Sequence, residues 1–321
     1  MTHYLLTGAG FSRNWGGWLA NEVFEYLLGV PEIIADEHLQ KALWSHKDRG
    51  GFEVTMEELR SAASRSRNQP HLDILERALQ RMFGDMDKGF QAQRGTPFQF
   101  EFLRGDNLVR QFLSRFDAIF TLNQDILLER QYFNEGMALL NHLKWDGWAI
   151  PGMKPEAGLR APSSEEVPTY TPSGDFNTSA RIQPFLKLHG SANWRDQDGR
   201  LIIALGGNKT GAIRASDVLT KQFNYFRTSV SQRGCRLMII GYGFQDQHVN
   251  QLLLDAATNS GLRLFIIDPL GVDVAWKDRN SPIRKENEFS GYCIGASRRS
   301  LREIFGTDQV ERAKVMRFFD S

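Results

Sequence analysis

Cysteine is scarce in this chain of 321 residues: there are two, Cys235 and Cys293. Two cysteines cannot build a disulfide framework, and a structural zinc site usually takes three or four Cys or His ligands at close spacing. Long apolar runs are missing too. None approaches the roughly 18 residues that would mark a membrane span. Neither charge sign dominates: 39 Lys and Arg stand against 38 Asp and Glu, a net charge of +1. That balance argues against a broad electrostatic grip on nucleic acid and leaves room only for a local basic patch. The start, Met1-Thr2-His3-Tyr4-Leu5-Leu6, has no basic n-region and no signal-length apolar core. The expectation is a soluble, cytoplasmic protein that contacts neither membrane nor nucleic acid directly. At about 150 residues per domain, the length suggests two domains or one with a large insertion.

What is present is a series of short apolar runs. They are Tyr4–Thr7, Ala118–Leu122, Phe185–Leu188, Leu237–Ile240 and Leu262–Ile267. Runs of four to six residues rich in Ile, Leu and Phe suit strands buried on both faces. Helical patterns follow the first, second and fourth of them, at Trp18–Leu28, Ile126–Phe133 and Val249–Ala257. Such alternation predicts an α/β fold, a Rossmann-like parallel sheet of five or six strands with helices on both faces. Residues 31–115 instead carry apolar positions at helical spacing, as in Leu72, Leu75, Leu79, Met82 and Phe83. They read as a helical insertion after the first strand. Trp44, Phe52, Met82, Phe83 and Phe90 either pack within it or dock on a neighbour. Residues 151–181, with Pro151, Pro155, Pro162, Pro168 and Pro172, read as a long loop, a candidate lid. Ala192–Arg195 and Arg200–Ile203, joined by Asp196-Gln197-Asp198-Gly199, read as a β-hairpin. The expected division is an α/β domain of residues 1–30 and 116–290, the insertion 31–115 and a C-terminal helical tail 291–321.

In open parallel sheets, ligands bind beyond the carboxyl ends of the strands. The first strand runs into Gly8-Ala9-Gly10-Phe11-Ser12, where two glycines permit close approach of a phosphate and the following helix offers free N–H groups. A tight strand-to-helix turn explains the same residues. Arg13 stands where a dehydrogenase fingerprint wants its third glycine, which disfavours hydride transfer. The second strand ends in Asn123-Gln124-Asp125, an amide and a carboxylate set either beside a ligand or as caps of the next helix. The third ends in His189-Gly190, a general base or a structural histidine. The fourth ends in Gly241-Tyr242-Gly243-Phe244-Gln245-Asp246-Gln247-His248, in which Asp246 either contacts ligand or caps a helix. His248 is the competing histidine, with a surface or capping role as its alternative. The fifth ends in Asp268-Pro269, suited to ribose hydroxyls or to initiating a turn.

The ordered set of strand-end motifs, Gly8–Ser12, Thr121–Asp125, Leu188–Gly190 and Gly241–Asn250, resembles the sirtuin family, and more closely its prokaryotic sirtuin-like branch. The resemblance implies an NAD-binding α/β domain, with Asn123 and His189 acting at the nicotinamide ribose and Asp125 orienting neighbours or the nicotinamide amide. It implies that Gly8, Ala9, Gly10, Phe11, Ser12, Gly241, Tyr242, Asp246 and Asp268 line the dinucleotide. Protein-deacylating sirtuins carry two Cys-x-x-Cys pairs that hold zinc, and this chain has none. Zinc-independent relatives in bacteria resemble NAD-consuming effectors of antiviral defence. The expectation that follows is an NAD+ hydrolase releasing nicotinamide and ADP-ribose, with no zinc. A sensing module that binds NAD or an ADP-ribose derivative without turnover is the alternative; a deacylase or ADP-ribosyltransferase fits less well. The resemblance further implies a homo-oligomer restrained or activated by a partner from a defence operon. A HerA-type ATPase is favoured over an Argonaute-type protein.

Overall fold

The computed structural model describes residues 1–48, 50–63, 70–92, 108–133, 144–156, 167–275 and 288–320. The chain opens with β1 (His3–Thr7), α1 (Ala9–Arg13) and α2 (Ala20–Leu28). Five helices follow: α3 (Pro31–Ile34), α4 (Glu37–His46), α5 (Phe52–Ala63), α6 (Pro70–Ala92) and α7 (Leu108–Ser114). Next come β2 (Ala118–Thr121), α8 (Leu127–Gln131), β3 (Gly147–Ala149), β4 (Met153–Pro155), β5 (Tyr170–Pro172), β6 (Ile182–Lys187), β7 (Gly190–Arg195) and β8 (Leu201–Ile203). The remainder is α9 (Lys209–Ala215), α10 (Asp217–Val230), β9 (Arg236–Ile240), α11 (Gln247–Ser260), β10 (Arg263–Ile267), β11 (Cys293–Ser297), α12 (Leu301–Gly306) and α13 (Gln309–Met316).

Seven strands make one parallel sheet in the order β11-β10-β9-β1-β2-β6-β3. The fold is α/β and Rossmann-like, with a helical region after the first strand. The five apolar runs are its five central strands. Leu5, Leu6, Ile119, Phe120, Phe185, Leu186, Leu237 and Leu264 are fully buried, as strands covered on both faces require. From β1 the chain adds β2, β6 and β3 on one side, then crosses to add β9, β10 and β11 on the other. The direction reverses between β1 and β9, and that switch point opens a crevice at the carboxyl ends of those two strands.

The helical region after β1 is organised around α6. Its Leu72, Leu75, Leu79, Met82, Met86 and Phe90 form one buried stripe at helical spacing. Phe52, Met82 and Phe90 are buried, Phe83 is partly buried, and Trp44 is 55% exposed against the ring of Phe24. The parts of this segment at 64–69 and 93–107 lie outside the described residues.

Three expectations need correction. The proline-bearing segment 151–181 contains strands, not only loop. β4 and β5 join the hairpin β7–β8 in a second, four-stranded sheet ordered β4-β5-β7-β8. Pro155 and Pro172 each close a three-residue strand, positions where the lost N–H interrupts little. Residues 157–166, the centre of the supposed lid, lie outside the described residues. Secondly, Cys293–Ser297 is not part of a helical tail but the edge strand β11. Thirdly, the sheet gains β3, so it has seven strands rather than five or six. Among the described residues no helix is long and apolar enough to cross a membrane.

Candidate active site

Because the sheet is parallel, the residues after β1, β2, β6, β9 and β10 all emerge at one edge. At the switch point the glycines serve each other. The Gly8 N–H donates to the Ile240 carbonyl at 3.0 Å, and the Gly10 N–H donates to the Gly241 carbonyl at 2.9 Å. A Cβ on Gly241 would lie 2.3 Å from both the carbonyl carbon of Gly10 and the nitrogen of Phe11, and its φ is +64°. The Gly10 N–H is therefore already used and is not among the groups left for a phosphate. Close packing of two strand-end loops is what demands glycine here. Gly241→Ala should cost about 1–3 kcal/mol from backbone strain alone, with more from the clash, measured by urea unfolding. A variant as stable as the parent would contradict this packing. Ala9 is exposed at the same turn, whereas Phe11 is buried against Trp15, with ring centroids 5.2 Å apart.

Asn123, after β2, is buried and held from three sides. Its backbone N–H donates to Thr121 Oγ1 at 3.0 Å, and its Nδ2 donates to the Gly8 carbonyl and to Ser12 Oγ, each at 3.0 Å. Ser12 Oγ in turn donates to Asp125 Oδ2 at 2.8 Å, and Asp125 Oδ1 accepts from the Leu127 N–H at 3.1 Å. Asp125 thus holds a neighbour and accepts from the first N–H of α8, although Ile126 and not Asp125 stands at the N-cap. Burial pushes its carboxyl above the ordinary range, opposed by Lys187, the Leu127 N–H and Ser12. With both amide hydrogens committed, Oδ1 is the group of Asn123 with no partner among the described residues. Sequence reasoning missed the support beneath. Lys187 Nζ donates to the Asp125 carbonyl at 2.5 Å and pairs with Glu129 Oε1 at 2.7 Å, both side chains 1% exposed. A lysine within the apolar run Phe185-Leu186-Lys187-Leu188 was the available signal.

His189, after β6, is 2% exposed. Its Nε2 lies 3.3 Å from Nε2 of His248, on the first turn of α11, with ring centroids 5.4 Å apart. Those two separations mean that the nitrogens face each other. The ring also bonds the backbone of Leu122. Burial lowers the His189 pKa to about 3, Asp246 opposing and Lys209 and His248 reinforcing. His248 is lowered too, again chiefly by burial. Its outer side borders a groove of about 700 Å³ lined by Phe223, Arg227 and Gln251. Both imidazoles are therefore neutral near pH 7. In the unfolded chain they protonate at their ordinary value of 6.5, so folding stability should fall as pH drops from about 6.5 toward 3. Chemical denaturation of wild type and His189→Gln across that window isolates the effect. Equal slopes would contradict it.

Asp246 stands at the N-cap position of α11 without capping it by its side chain. Its carboxylate instead accepts from Lys209 Nζ at 3.0 Å. Tyr242 is buried; its hydroxyl donates to Asn250 Oδ1 at 2.9 Å and accepts from the Asp246 N–H at 3.1 Å, shaping the loop from within. Asp268 Oδ1 accepts from the Leu270 N–H at 2.9 Å, the turn its Asp-Pro sequence suggested. Asp268 also borders a cavity of about 610 Å³ with Gly10, Gly241, Arg298, Arg299 and Ser300. The last three follow β11, whose existence the sequence did not disclose. The structure thus gathers Ser12, Asn123 and Asp125 in one network and His189, His248 and Asp246 in a second. Gly10, Gly241 and Asp268 share the cavity.

The model of the SIR2-like domain matches residues 117–294, more than half of the chain. The chain belongs to the SIR2-like family. The SIR2-like segment includes Asn123, Asp125, His189, Gly241, Asp246 and Asp268, while β1 and Gly8–Ser12 precede it. A search of curated proteins finds no match to the chain. SIR2-like domains use NAD as substrate, so membership is consistent with NAD-related chemistry.

Proposed function

We propose that the chain is an NAD+ hydrolase that releases nicotinamide and ADP-ribose. The observation that carries the reading is the placement of Asn123 and His189. Both are buried at the carboxyl edge of a SIR2-like sheet, and Asn123 keeps Oδ1 uncommitted within a fixed hydrogen-bond network. The cavity beyond β1, β9, β10 and β11 fits the rest of the substrate, because Asp268 suits ribose hydroxyls while Arg298 and Arg299 suit phosphate. The nicotinamide ring nitrogen is already cationic, so the leaving group needs no proton. The protein's task is to hold the ribose, admit water and take up the water's proton. Asn123 Oδ1 accepts a hydrogen bond from the water or a ribose hydroxyl, and His189 Nε2 receives the proton. Asp125 acts through Ser12 to hold Asn123. Purified protein incubated with NAD+, alone and together with candidate partner proteins, should yield nicotinamide and ADP-ribose in equal amounts once it is active. NAD+ bound and recovered intact would make this a sensing module instead.

The same reading extends to a role as a cytoplasmic effector that depletes NAD in antiviral defence. The support is the resemblance of the strand-end set, without Cys-x-x-Cys pairs, to such effectors. An unrestrained hydrolase would poison its own cell, so control comes from assembly with further copies and with a partner, a HerA-type ATPase before an Argonaute-type protein. Exposed Trp44 supports the helical region as the surface for that contact. Light scattering and turnover on one sample, with and without the partner, test this. A fully active monomer that the partner leaves unchanged would overturn it.

A further inference from the structure

Among the described residues, the helical region after β1 reaches Asp246 through Lys209. Lys209, at the start of α9, places Nζ 3.0 Å from Asp246 Oδ1 and 3.0 Å from Glu53 Oε2 on α5. The three side chains are 30%, 16% and 13% exposed for Glu53, Lys209 and Asp246, so the contact is largely shielded from water. Its geometry is held by the backbone on both sides. A Cβ on Gly206 would lie 3.1 Å from the Glu53 carbonyl, and one on Gly207 would run into the Glu57 carboxylate. Arg60, one turn further along α5, donates to the Leu205 carbonyl at 3.3 Å. Strand-end loop and insertion helix are therefore pressed together where Lys209 sits. We infer that Glu53 acts through Lys209 to position Asp246 beside His189 and His248, which makes α5 a working part of the site.

Asp246 is the anionic group that acts on both histidines, and Lys209 is the cation that opposes it there. The groups facing Asp246 are Lys209 from α9, His189 after β6, His248 on its own helix and the Tyr242 hydroxyl. Glu53 faces it across Lys209. Shared between two carboxylates, the ammonium screens Asp246 only in part. Movement of α5, as on contact with another protein, would return the whole ammonium to Asp246 and weaken the field at the histidines. Neither Glu53 nor Lys209 touches the Asn123 network, so both are positioning residues.

The test has two readouts, because the inference rests on His189 being the base of the proposed hydrolysis. The first is the titration of the imidazole NMR signals in protein without NAD+. The second is the pH profile of nicotinamide release. In Lys209→Met, with Asp246 unopposed, both histidines should titrate higher, by about one pH unit. In Glu53→Gln, with Lys209 wholly on Asp246, they should titrate lower by a smaller amount. Lys209→Arg should restore the parental values, and the acid limb of the pH profile should move with each titration. Thermal melting separates these effects from loss of fold, and Glu53→Gln serves if Lys209→Met does not fold. Unmoved imidazole signals in both folded variants would overturn the inference. Moved signals in a protein that releases no nicotinamide would leave the coupling standing and overturn the hydrolase reading instead.

Discussion

Replacing His189 by alanine should lower nicotinamide release from NAD+ by about 10²–10⁴-fold, or roughly 3–5 kcal/mol of barrier. The size follows from its surroundings. His189 is buried, its ring is bonded to the Leu122 backbone on one side, and Nε2 faces His248 on the other. Burial keeps it neutral in the resting protein, and Asp246 supplies the charge that favours the imidazolium as it forms. His248 is not equivalent. It lies on the groove side and is less deeply buried than His189, so His248→Ala should cost less than His189→Ala. The cavity lined by Gly10, Gly241 and Asp268 does not include His189, so NAD+ binding should survive its loss. Steady-state assays with a calorimetric titration of NAD+ check both halves. Unchanged turnover in folded His189→Ala would remove this residue from the chemistry.

Lys187→Met should destabilise the protein by about 3–5 kcal/mol, the usual cost of stranding one member of a buried ion pair. Glu129 would keep a carboxylate whose Oε2 has no partner among the described residues, and would lose the cation paired with Oε1. Burial pushes the Glu129 carboxyl up even with the lysine present. Methionine keeps the length of the chain, so the loss reports charge and hydrogen bonding rather than volume. The Asp125 carbonyl would lose its donor too, loosening the hold on Ser12 and Asn123, so turnover should fall with stability. Lys187→Met with Glu129→Leu should recover part of the stability and none of the activity. Urea unfolding of the single and double variants decides it. A single variant within about 1 kcal/mol of wild type would show that the pair carries little.

The central strands were legible because each is buried on both faces and so appears as an uninterrupted apolar run. The site was legible for a related reason: a parallel sheet collects the residues after its strands at one edge. β3 escaped because three residues carry no pattern. β11 escaped because Gly295 and Ala296 weaken a strand signal, and its pairing with β10 shifts register between Leu264 and Phe265. The glycines lie at the strand ends where the sequence puts them, and their mutual packing was the part it did not show. Contact between the Gly8–Gly10 and Gly241 backbones is a tertiary fact that neither segment shows alone. Lys209 and Glu53 left no local trace for the same reason, since their meaning comes from a helix and a loop far apart in the chain.

The most direct measurement is hydrolysis of NAD+ by the purified chain, alone and with its partner, in heavy-oxygen water, with products resolved by mass spectrometry. Attack by water on the ribose carbon that bore nicotinamide should place one heavy oxygen in ADP-ribose for each nicotinamide released. Asn123→Ala and His189→Ala should lose both signals together. Nicotinamide release with an unlabelled ribose, or transfer of ADP-ribose to protein, would contradict hydrolysis at this site, as would the absence of any nicotinamide.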